Sequence, residues 1–280
     1  MKDVTPVELQ PLSERAEWFE WLDKNAQKLR ESLSVELPQL TAAEVEREIN
    51  AKLGPPTPAQ RSDYLNRLSD AVTDALVQRM SDAIVVAVPL QTKAGRLNAR
   101  GVMRLMTNAS SQFLSSMARG IPMRGAATVG IGMISQNGAL LGPVLQEAYD
   151  LERLPPKNLR SKEECGKQPK NWCRLVVSDE LYGWLEDFTS SADLFEREAA
   201  RECLKFIIQD ESREWVIDYA GSSVPVTRQL VTLAYKTATT NIELASKSAN
   251  PDSKLHAEAW QHVAQYLGSK LHVSGSAMGW

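Results

Sequence analysis

An apolar, β-branched run, DAIVVAVPL at 82–90, interrupts a sequence that otherwise reads as helical for its first eighty residues. β-Branched residues in such a run favour a half-buried strand, and Pro89 ends it or confines it to an edge. Upstream, Trp18, Trp21, Leu22 and Leu29 recur at helical spacing, predicting a helix from about 12 to 33. TAAEVEREINAKL carries a Thr cap with Glu three residues later. GPPTPAQ at 54–60 is a loop full of helix breakers, and RSDYLNRLSDAVTDALVQ returns to a helical pattern. Downstream, NARGVMRLMTNASSQFLSSMARG predicts a long amphipathic helix stopping at Gly120. IPMRGAATVGIGMI predicts a strand, SQNG a turn, and ALLG its partner strand. GPVLQEAYDLERL predicts a helix, and CRLVVSDELYGWL a strand entering a helix capped by Ser178 or Asp179. A short strand, REWVIDYA, and a mainly helical tail complete the chain. The order implies an α/β chain with a mixed sheet whose middle is an antiparallel hairpin.

The 280 residues suffice for one large domain with appendages. No linker demands a second one. A net charge of −3 gives no basic surplus for nucleic acid. Apolar runs are strand-sized, too short to span a membrane, and the N-terminus has no apolar signal core. Cys165, Cys173 and Cys203 are odd in number and lack CxxC spacing. They fit a reducing, cytoplasmic setting and read as incidental or buried thiols.

Asp82 stands where a turn enters a buried strand. By itself it reads first as a turn or helix cap with Ser81, and second as a hard oxygen ligand for Mg²⁺ or Mn²⁺. Arg124 opens the next strand, either as a structural arginine or as a fork for phosphate or carboxylate. Gly125, Gly130 and Gly132 signal close backbone approach, yet no GxxxxGK[ST] loop is present. His256 and His262 are six apart and on different helix faces, and His272 is isolated. Helical i, i+4 metal pairing is therefore absent. No GxSxG motif occurs. Trp18, Trp21, Trp260 and Tyr266 read as core or dimer packing.

Taken together, MSDAIVVAVPL, GIPMRGAATVG, LLGPVLQEAYDLE and CRLVVSDEL resemble the class III nucleotidyl cyclase domain over about 80–185. More narrowly, they resemble the pyrimidine cyclases of bacterial Pycsar antiphage defence. The resemblance implies a ferredoxin-like palm, with a mixed sheet and helices on one face. It divides the chain into an N-terminal helical part (1–70), a catalytic core (71–220) and a helical extension (221–280). It also implies a head-to-tail homodimer sharing an active site, in which two aspartates hold two Mg²⁺ or Mn²⁺ ions. A ribose 3′-hydroxyl then attacks the α-phosphorus of UTP, ahead of CTP, and pyrophosphate leaves. The cyclic product would activate a separate effector. Asp82 matches the second metal aspartate. Arg79 stands near the position that reads the base, and Arg174 matches an arginine that faces phosphate.

Two positions depart from that pattern. The opening strand, of the type FLDILGF, has no counterpart upstream of Trp18. The nearest fit is MKDVTPVELQ, with Asp3 for the acid and Pro6 for the glycine. A misassigned start, a shortened strand carrying Asp3, and loss of the ligand all remain open. In the helix GPVLQEAYDLE, Gln146 and Asp150 occupy positions that hold Asn and Arg in adenylate and guanylate cyclases. Gln can replace Asn as a donor, but Asp150 repels phosphate. The pyrimidine cyclases depart here too, which leaves Arg124 or Arg174 to supply the transition-state cation. The alternative is an inactive cyclase-like sensor that binds nucleotide or a partner.

Overall fold

The computed structural model describes residues 23–24, 26–27, 57, 59, 75–80, 83–91, 95, 98–136, 139–153, 173–221, 228–247 and 251–276. The chain forms two compact units, one of residues 14–108 and the other of 1–13 with 109–280.

In the first unit, β1 (Leu76–Met80) and β2 (Ala83–Ala87) form an antiparallel hairpin. Its register pairs Val77 with Val86, Arg79 with Ile84 and Met80 with Ala83. The sequence around ALVQ predicts helix, yet Leu76–Met80 is strand. The cross-strand partners Ile84, Val85 and Val86 are β-branched, and packing against them overrides local propensity. Val77 is buried with Ala26, and Ala75, Ile84 and Val86 close around them. Beyond β2, buried Asn98 fixes the next turn: its Nδ2 donates to Pro89 O at 2.8 Å, and its Oδ1 accepts from Gly101 N at 3.0 Å. A Cβ on Gly101 would lie 2.5 Å from that amide, so a larger residue here would push the Asn98 side chain out of its bonds. Helix α1 (Ala99–Ala118) follows, and its residues from 109 onward belong to the second unit. As the sequence predicts, it stops at Gly120, whose φ of +78° suits glycine.

The second unit is built on a four-stranded sheet in the order β3–β6–β8–β7. Here β3 is Gly125–Ala127, β6 Leu175–Val177, β7 Ile207–Gln209 and β8 Trp215–Ile217. β3 and β6 are parallel, while β6–β8 and β7–β8 are antiparallel. The sheet is mixed, as expected, but its middle is β6–β8 and not a hairpin. The stretch expected as one strand from Ile121 to Ile134 is broken. Only Gly125–Ala127 joins the sheet, and β4 (Met133–Ile134) pairs with β5 (Leu140–Leu141) in a separate ribbon. Two glycines lie in the broken stretch, close to the following helix. A Cβ on Gly130 or Gly132 would crowd Val144 at 3.1–3.3 Å, so the glycines let the chain pass close against α2 (Pro143–Arg153). β7 was not foreseen.

Leu175, Val176 and Val177 are all buried, because both faces of β6 are covered. Helices α3 (Asp179–Phe188) and α4 (Leu194–Leu204) pack on each other and bury Leu181, Leu185, Ala200 and Cys203. The tail forms α5 (Arg228–Ser246) and α6 (Pro251–Ser276), joined through Ala234, Ala238, Trp260, Val263 and Leu267. Among the described residues, no helix is long and apolar enough to cross a membrane.

Candidate functional site

The parallel pair β3–β6 brings two of the sequence-derived residues together. Gly125 lies opposite Leu175, and Gly125 N donates to Arg174 O at 3.0 Å. Arg124 and Arg174 therefore lie side by side at the start of the pair. Both guanidinium groups face carboxylates. Arg124 Nε pairs with Glu152 of α2. Arg174 Nη1 pairs with Glu214, which is 2% exposed, and lies 3.3 Å from Asp210. Asp210 Oδ1 also accepts from Ser212 N (2.9 Å), Ser212 Oγ (2.6 Å) and Glu214 N (3.0 Å). A carboxylate that deep is tolerable only when it is paired. The arginine at 174 supplies the pair. Sequence reasoning missed Glu214 and Asp210. The signal was an acid directly before the apolar run WVI, on the face the strand buries.

At the other end of the strands, Thr128 Oγ1 lies 3.0 Å from both Glu147 Oε1 and Ser178 Oγ. Of the two expected caps, Ser178 is the N-cap of α3, accepting from Leu181 N at 3.0 Å. A cleft of about 200 Å³ opens beside it, lined by Glu147, Asp150, Asp179, Glu180, Glu214 and Trp215. Ring stacking of Trp215 on Tyr182, at 3.7 Å, stiffens one wall. Leu151, Val176, Val177 and Ser178 complete the lining, so the cleft combines an apolar wall with several carboxylates. Gln146 is on the exposed side of α2 and donates to Asp150 Oδ1 at 2.8 Å. Arg79 belongs to the other unit and pairs with Asp23 at 2.7 Å.

Asp3 and Asp82 lie outside the described residues. Among the described residues, no group of three or more His, Cys, Asp or Glu side chains could hold a metal ion. His262 is exposed on α6. Burial pushes the thiols of Cys173 and Cys203 up to about 12, for Cys173 against the pull of Arg124. They are inert thiols at neutral pH.

A second polar cluster joins β8 to the tail. Asp218 accepts from the Tyr266 hydroxyl and from Lys270 Nζ at 2.7 Å. Ala220 N donates to Tyr266 OH at 3.1 Å, and Tyr266 packs against Tyr219, which packs against Phe113. This cluster fastens α6 to the sheet.

The chain matches no family model, no curated protein and no solved structure.

Proposed function

We propose that the chain is a nucleotidyl cyclase that converts a pyrimidine nucleoside triphosphate, UTP ahead of CTP, to a 3′,5′-cyclic mononucleotide and pyrophosphate. The observation that carries this reading is the β1–β2 register. In the sequence Asp82 directly precedes Ala83, where β2 begins opposite Met80. In the other unit the RGAA and RLVVS motifs lie on adjacent parallel strands, which supports the same reading. Mg²⁺ or Mn²⁺, when bound, would neutralise the triphosphate and acidify the ribose hydroxyl. The reading carries with it a homodimer, a cytoplasmic setting, and a cyclic-nucleotide-responsive effector in antiphage defence.

One observation favours a second reading, a catalytically inactive domain that binds nucleotide or a partner. Arg124 and Arg174, the two residues available to stabilise the transition state, are each occupied by carboxylates. Incubation with ATP, GTP, CTP and UTP separately, with Mn²⁺ and mass-spectrometric product detection, separates the two. The cyclase yields cyclic UMP or CMP. The inactive domain is stabilised by nucleotide against heat without turnover.

A further inference from the structure

We draw no further inference here: the strongest candidate, the acidic cleft beside Ser178 and Trp215, carries nothing, because its Glu147, Asp150 and Glu214 are held by Thr128, Gln146 and Arg174 of the same chain and no second observation points to a ligand.

Discussion

Arg174 at the start of β6 and Glu214 directly before β8 form an ion pair in which the arginine is 13% exposed and the glutamate 2%. It ties together two neighbouring strands of the main sheet. Removing one partner of such a pair leaves a buried charge alone. Glu214→Ala should therefore lower stability by about 3–5 kcal/mol. Urea unfolding measures it, and a loss below about 1 kcal/mol would show that the pair is not holding the strands. The double replacement Arg174→Met with Glu214→Leu should recover most of the loss, because apolar groups of similar volume replace a buried pair at little cost.

The fold should weaken in alkali. The Cys173 and Cys203 thiols are held up to about 12 by burial, against 9.0 in an exposed chain. Burial likewise raises the Tyr219 and Tyr266 phenols. Groups whose folded pKa lies above the unfolded value stabilise fully below the unfolded value. That contribution drains as pH rises toward the folded one. Urea midpoints should thus fall progressively from pH 9 to pH 12, with a shallower fall in the Cys173→Ser, Cys203→Ser variant. A flat profile over that range would contradict the burial of these groups.

A side chain at Gly221 should be costly. A Cβ there would sit 2.1 Å from Asp218 Oδ2, and Tyr266 and Lys270 hold that carboxylate in place. Gly221→Ala should cost about 1–3 kcal/mol, the range for forced overpacking. Thermal unfolding checks it. Lys270→Met in the same background should soften the penalty, since it frees Asp218 to move.

The legible parts of the fold were those set by local chemistry. The stop of α1 at Gly120, the Ser178 cap of α3 and the run Leu175–Val177 each follow from residues within one turn or one strand. The illegible parts depend on partners distant in sequence. Leu76–Met80 reads as helix until Ile84, Val85 and Val86 lie opposite it. The stretch after Ala127 reads as continuous strand until Val144 packs against Gly130 and Gly132. In the site, Arg124 and Arg174 were visible as cations, but their carboxylates, Glu152 and Glu214, lie 28 and 40 residues away in sequence. Only the fold reveals that pairing.

The central claim is that Asp82 serves a cyclisation reaction. The direct measurement is cyclic nucleotide formed from UTP and from CTP with Mn²⁺, by mass spectrometry, for the wild type and Asp82→Ala side by side. The account predicts cyclic UMP or CMP from the wild type and at least a hundredfold less from the variant, the order of effect when charge stabilisation at the reacting phosphate is removed. No cyclic product from the wild type, or equal product from both proteins, would contradict it.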